Sequence, residues 1–243
     1  MIKTYTKDYV TEAQDSLRKL VDSIEGAQAL FDTLDTVSET EYKQLHTSFL
    51  QPLDLKIDTD LFTQEISVYL WGLHHTPSGE DPLMPRYCIP LVNTTGKIES
   101  KDYACQSLQK YYENNPGRPP LLDIDFKTPT PIKDLSSLSC LKVFDSHWAR
   151  SVILYWEAGA SLVPHVDTVI PSIILRLWGS TSKDIIMRYW DGSDMKECDV
   201  EPGRLYLIDT TIAHDVWCEK GSGYQFALAF TPSGLNIIKD LII

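Results

Sequence analysis

From Ala149 onward the chain breaks into short runs rich in β-branched and aromatic residues, each closed by a turn signal: SVILYWE, SLVPHVD, SIILRLWG, DIIMRYW, RLYLID, IAHDVW and YQFALAF. Runs this short cannot bury a face alone. Separated by Gly- and Pro-bearing turns, they are expected to close on one another as an antiparallel sandwich or barrel.

The residues before this point read differently. From Thr11 to about Leu50 the pattern is helical, with Leu17, Leu20, Val21, Ile24 and Phe31 forming one apolar stripe. Ser38 and Glu41 have capping-box spacing, so a second helix is expected to start there. QEISVYLWGL, Gln64 to Leu73, reads as a strand, and HHTPSGEDPLMPR as a loop. A further helix is expected from about Ser100 and is stopped by Asn-Asn-Pro-Gly. The chain has 243 residues, of which 43% are hydrophobic, and shows neither a repeat nor a disordered linker. One globular unit over 1–243 is expected. Within it, 1–60 form a helical N-terminal layer, 61–148 a mixed strand and helix support, and 149–232 the β core.

The formal net charge of -12 weighs against a nucleic-acid partner, which needs clustered Lys and Arg. Five scattered cysteines, Cys88, Cys105, Cys140, Cys198 and Cys218, never fall in C-x-x-C spacing. They are expected to be reduced structural thiols, in a cytoplasmic setting. No apolar run is long enough to span a bilayer, so no membrane partner is expected.

His165 and Asp167 lie two apart at the end of a strand-like run, and residues i and i+2 of a strand project from one face. By itself the pair is more readily a polar strand end. His214, in a late strand after a Pro-Gly turn, adds a third ligand. Two His and one carboxylate form the triad that occupies one face of an octahedral Fe(II) and leaves three positions open. A jelly-roll or cupin sheet brings strands so far apart in sequence side by side. Helical H-E-x-x-H, a phosphate loop and G-x-S-x-G are all absent.

Three open positions suit O2 and a bidentate 2-oxo acid, whose distal carboxylate then needs a cation. Arg176 sits mid-strand, sharing a face with Ile174 and Trp178. A guanidinium there either grips that carboxylate through two parallel hydrogen bonds, or pairs with a neighbouring Asp or Glu. Tyr155 is either a hydroxyl donor to the oxo acid or a core tyrosine. Asp209 either supports a ligand imidazole or caps a turn. Trp148, Arg150, Trp156 and Trp190 line a pocket or fill the core, and His74-His75 sits in a loop, either solvated or near the mouth where it would contact substrate.

YWEAGASLVPHVD, then LRLW, then VEPGRLYLIDTTIAHDVW, resembles the aspartyl/asparaginyl β-hydroxylase-like branch of the Fe(II)/2-oxoglutarate-dependent dioxygenases. The likeness covers roughly 151–230. It lies in the combination of Gly159, Pro164-His165, Arg176, Pro202-Gly203, Asp209 and His214-x-x-Trp217. The resemblance implies a mainly β (α+β) double-stranded β-helix, with Fe(II) held by His165, Asp167 and His214 and 2-oxoglutarate gripped by arginine. The family commonly has a second arginine in the last core strand, where this chain offers Gln225. It often has a His where this chain has Trp178. The anchor is therefore expected to rest on Arg176, or on Arg188 from the next strand.

The implied reaction is hydroxylation of an amino-acid side chain in a peptide or protein, or of a free small molecule, with succinate and CO2 as co-products. A non-catalytic jelly-roll module holding a metal on the same triad is the alternative. A cupin-like metalloenzyme needing no oxo acid would leave Arg176 without a carboxylate.

Overall fold

In the computed structural model of the protein, which describes residues 34–75, 86–99, 103–105, 121–167 and 174–243, all seven expected runs are strands and five more join them. The stripe from Leu17 to Phe31 lies outside the described residues, as does most of the helix expected from Ser100, of which Tyr103–Cys105 is a 3-10 turn.

Strands β1 (Leu50–Lys56), β2 (His74–His75), β3 (Arg86–Asn93) and β4 (Thr128–Pro129) precede the seven. Then come β5 (Ser151–Glu157), β6 (Ser161–His165), β7 (Leu175–Ser180) and β8 (Ile185–Trp190). Short β9 (Met195–Glu197) is followed by β10 (Arg204–Ile208), β11 (His214–Cys218) and β12 (Ser222–Phe230). The larger sheet runs β1-β10-β7-β12-β5-β3-β2, with β4 also on β3, and the smaller runs β6-β11-β8-β9. All of their pairings are antiparallel. From β5 onward the strands alternate between the two sheets, except that β9 follows β8 within the smaller one, which makes the fold a double-stranded β-helix, mainly β with few helices.

Side-chain alternation divides the larger sheet into two faces. Leu154, Trp156, Trp178, Tyr206 and Ile208 turn inward and pack with Ile185, Met187, Val216 and Cys218 of the smaller sheet. Ile153, Leu175, Leu177, Phe226, Leu228 and Phe230 turn outward, against the helical layer. That layer contains α1 (Glu39–Leu45), α2 (Thr59–Ile66) and α3 (Leu235–Leu241), with a 3-10 segment over Ser136–Phe144. Its Phe62, Ile66, Leu141, Phe144 and Ile238 complete the outer core.

Ser38 does start α1, its Oγ accepting from the Glu41 amide at 3.2 Å. The helical pattern ends sooner than expected, however. Leu53, Leu55 and Ile57 alternate with Asp54 and Lys56, a period of two, and the stretch is strand β1, paired to β10. Gln64 to Leu73 is not a strand either. Asp58 caps α2 by accepting from the Leu61 amide at 3.0 Å, and Phe62 and Ile66, four apart, share its buried face. The run then continues as a 3-10 helix, leaving Val68 and Trp71 largely exposed.

Gly203, at φ +83°, turns the chain into β10 where a Cβ would meet the Ile57 carbonyl oxygen at 2.4 Å, so no other residue fits. Cys88 of β3 is disulfide-bonded to Cys105, with Cα atoms 5.5 Å apart, against the expectation of five reduced thiols. The pairing depends on the 3-10 turn folding back onto β3, which no cysteine spacing encodes. With two of the five bonded, the cysteines no longer point to a reducing compartment. Among the described residues no helix is long and apolar enough to cross a membrane.

Candidate metal centre

β6 is an edge strand of the smaller sheet, which is why it tolerates Pro164 one residue before its end. His165 closes that strand and stands directly opposite His214, the first residue of β11. The two imidazole centroids are 4.5 Å apart. One residue beyond His165 the chain turns, Val166 is buried, and the Asp167 amide donates to the Thr210 carbonyl at 3.2 Å. This anchors Asp167 beside the loop that leads into β11.

The result is a compact donor set. His165 Nε2 lies 3.3 Å from one oxygen of Asp167, and His214 Nε2 lies 3.7 Å from the other. No two of the three ligand atoms are farther apart than 4.8 Å. Ligands in adjacent octahedral positions at bonds near 2.1 Å are about 3 Å apart, so a small inward adjustment accommodates one ion. Each imidazole turns its other nitrogen to a backbone carbonyl: His165 Nδ1 to Val163 and His214 Nδ1 to Ile212, both at 2.9 Å. Those bonds fix the proton on Nδ1 and leave the Nε2 lone pair for a metal.

The electrostatics agree with a cation-binding set. Burial works against a charged carboxylate at Asp167, but hydrogen bonds from His165 and His214, with the charge of Arg176, hold its pKa well below the ordinary value. Burial likewise opposes the imidazolium form of His165, yet the adjacent Asp167 carboxylate outweighs it and raises that pKa. A metal ion would take the place of those protons. His214 is buried, whereas His165 and Asp167 are only partly covered, so the donor set is open on one side. Phe49 tilts over His214 with centroids 5.8 Å apart and stacks on Tyr189 at 4.8 Å. Trp190 packs on Val166 and Ala213, the chain neighbours of the two histidines.

The other expected residues fall in different places. Arg176 does point into the barrel, but its Nη2 bonds Asp123 at 2.8 Å, and Arg150 holds the other oxygen of Asp123 at 2.6 Å. Burial acts against the Arg176 charge, but Asp123 and Asp167 more than restore it, so its pKa is raised. Trp178 is an inner-face core residue beside Tyr206, and Gln225 is also buried. Tyr155 faces the opposite way, into the outer core against Tyr224, with centroids 5.1 Å apart; it is a packing residue away from the barrel. Arg188 is likewise displaced. It alternates with Tyr189, which opposes His214, and it forks onto Asp215 through Nε at 3.0 Å and through Nη2. Both belong to the far face of the smaller sheet.

Asp209 accepts from the Thr211 amide at 3.1 Å and hydroxyl at 2.6 Å, so it caps a turn. Trp148 packs on Phe230 in the outer core, and Trp156 lies within the barrel. His74 and His75 form β2 on the edge of the larger sheet, where a loop was expected. Phe49 and Arg86 went unnoticed in the sequence, since each acquires its place only through strand pairing.

No protein-family model matches the chain, and no curated protein matches it. Solved structures do. A prolyl-4-hydroxylase from Pseudomonas putida is 9% identical, with a TM-score of 0.44 over 79% of this chain and 97% of that one. An oxidoreductase of the 2OG-Fe(II) oxygenase family from Burkholderia pseudomallei is 10% identical, with a TM-score of 0.37 over 63% of this chain and 71% of that one. The ribosomal oxygenase YcfD from Escherichia coli is 14% identical, with a TM-score of 0.28, over 35% of this chain and 23% of that one.

Proposed function

We propose that the protein is an Fe(II)- and 2-oxoglutarate-dependent oxygenase that hydroxylates an amino-acid side chain in a peptide or protein, or a free small molecule. The observation that supports this reading is the convergence of His165 Nε2, His214 Nε2 and the Asp167 carboxylate, with no fourth protein ligand among the described residues. A structural metal is normally enclosed by four protein ligands, whereas three on one face suit an ion that must also bind small molecules.

Iron(II) held there would supply the positions for chelating a 2-oxo acid and for activating O2. The protein's own contribution is geometric and electrostatic. The Val163 and Ile212 carbonyls fix the imidazole tautomers, and Asp167 brings negative charge to the cation. Phe49, Trp190, Val166 and Ala213 present apolar surface beside the ligands and limit water there. Entry is from the side where His165 and Asp167 remain accessible. The net charge of -12 favours a peptide or small molecule over a nucleic acid as the oxidised substrate.

One observation favours a second reading, a metal-holding module without catalysis: Arg176 already has a carboxylate partner, in Asp123. The two separate cleanly by experiment. Anaerobic protein loaded with Fe(II) is expected to develop a weak visible charge-transfer band on adding 2-oxoglutarate. Admitting O2 should then bleach the band and release succinate slowly, even without the oxidised substrate. A protein that binds Fe(II) yet gives neither band nor succinate, with a broad panel of amino acids and peptides, is the metal-holding module.

A further inference from the structure

Buried arginines in this fold come with acids. Arg150 and Arg176 share Asp123, Arg188 forks onto Asp215, and the more exposed Arg204 pairs with Glu201 at 2.7 Å. Arg86 departs from this pattern. It opens β3, is only 7% exposed, and makes no salt bridge among the described residues. Its guanidinium lies 5.4 Å from the ring centroid of Trp156, its register partner on β5, and its Nε has no hydrogen-bond partner.

The side chain belongs to the barrel interior. Trp156 and Cys88, the latter two residues along β3 and so on the same face, are both in the inner core. Arg86 is also within electrostatic reach of His165 and Asp167. Burial draws its pKa down to about 10, the charge of Asp167 opposing, so the group is cationic at neutral pH. A buried cation without a partner is costly, and it is retained where an anion completes it.

Two further inner-face polar atoms, Trp156 Nε1 on the ring that faces Arg86 and Gln225 Oε1, are buried without hydrogen-bond partners among the described residues. Gln225 lies two residues along β12 from Gly223, which is paired across β5 to Trp156, the neighbour of Arg86. Its amide, turned over, offers NH2 to an anion seated on Arg86. A buried cation with no salt bridge among the described residues, an indole donor and an amide on one inner face describe a carboxylate site.

We infer that Arg86, on a strand outside the β-helix core, receives the distal carboxylate of the dicarboxylate cosubstrate, while Arg176 stays committed to Asp123. The inference rests on the oxygenase reading above and assigns its anion subsite. It also accounts for Gln225: a cation reaching in from β3 removes the need for one on β12.

The test compares two ligands on Mn(II)-loaded protein by calorimetry, without turnover. 2-Oxoglutarate carries the distal carboxylate and 2-oxobutyrate does not. Arg86→Leu is expected to weaken 2-oxoglutarate by about 30-fold or more, as for loss of a buried charge-assisted pair. At saturating Mn(II) it should leave 2-oxobutyrate binding essentially as in wild type, and the loss of a cation near Asp167 should not weaken metal binding. Arg86→Lys, which keeps the charge and most of the packing, should fall between, and it carries the test should Arg86→Leu not fold. Arg176→Leu should cost far less. Equal loss for both ligands would mean that Arg86 only shapes the barrel, and unaltered 2-oxoglutarate binding in the Arg86 variants with loss in Arg176→Leu would return the anchor to β7. Either result overturns the inference while leaving the oxygenase reading intact. A wild-type protein that binds Mn(II) but neither oxo acid overturns both.

Discussion

Replacing His214 by alanine is expected to lower Fe(II) or Mn(II) affinity by more than the roughly 10–100-fold that loss of an outer supporting contact costs, because a direct ligand disappears. Three protein atoms converge on the site, and His214 supplies the one that is buried. Removing it leaves His165 and Asp167, two residues apart at the more open side of the cleft, a donor pair with no enforced face. His165→Ala should behave alike, and Asp167→Ala should combine weaker metal binding with loss of the negative charge. Titration with Mn(II) followed by electron paramagnetic resonance measures both stoichiometry and affinity. Wild-type values in both His165→Ala and His214→Ala would remove the metal centre from consideration, and with it the proposed function.

The part of the fold that builds this site was legible because its signals are local. Seven short runs with turn residues between them read as strands from composition and spacing, and the two-residue step from His165 to Asp167 marks the pair. β6 nevertheless ends at His165, and Asp167 is placed by its amide bond to the Thr210 carbonyl. What stayed hidden depends on pairing. RYCIPLVN has a Pro in its middle and is buried on both faces, so β3 shows no alternation to find. Arg86 opens that strand, and only the register Arg86 to Trp156 shows that it points into the barrel. In Gln64 to Leu73 the β-prone residues suggested a strand, yet the spacing from Phe62 to Ile66 and the Asp58 cap favour a helix. Parity explains the arginines. Arg176 alternates with Leu175 and Leu177 and faces inward, whereas Arg188 alternates with Met187 and Tyr189, which do, and faces away. A one-residue difference in phase separates an arginine that faces the barrel interior from one that faces away from it.

That placement of Arg188 carries the second large effect, on stability. Its fork with Asp215 is nearly sealed, the two side chains being 8% and 3% exposed. Arg188→Met should destabilise the fold by about 3–5 kcal/mol at neutral pH, since it strands a buried carboxylate without its partner. The sign of the pH dependence follows from Asp215. Burial raises its pKa in the folded protein, with Arg188 only partly opposing. A raised carboxyl pKa contributes stability that is present in acid and lost as pH rises through the folded value. Without Arg188 the pKa climbs further, so the deficit of Arg188→Met should shrink as the pH falls toward that value and Asp215 takes up a proton. Replacing both, Arg188→Met with Asp215→Leu, removes the stranded charge and should recover most of the loss, because an apolar pair of similar volume replaces buried ion pairs at little cost. Chemical denaturation across pH, run on both variants and on wild type, reads the whole pattern. All of these proteins should keep one-to-one Mn(II) binding, as expected for a pair on the far side of the sheet from His214. A single variant as stable as wild type, or one whose deficit grows in acid, would mean that Asp215 is solvated and that the pair does not hold the smaller sheet together.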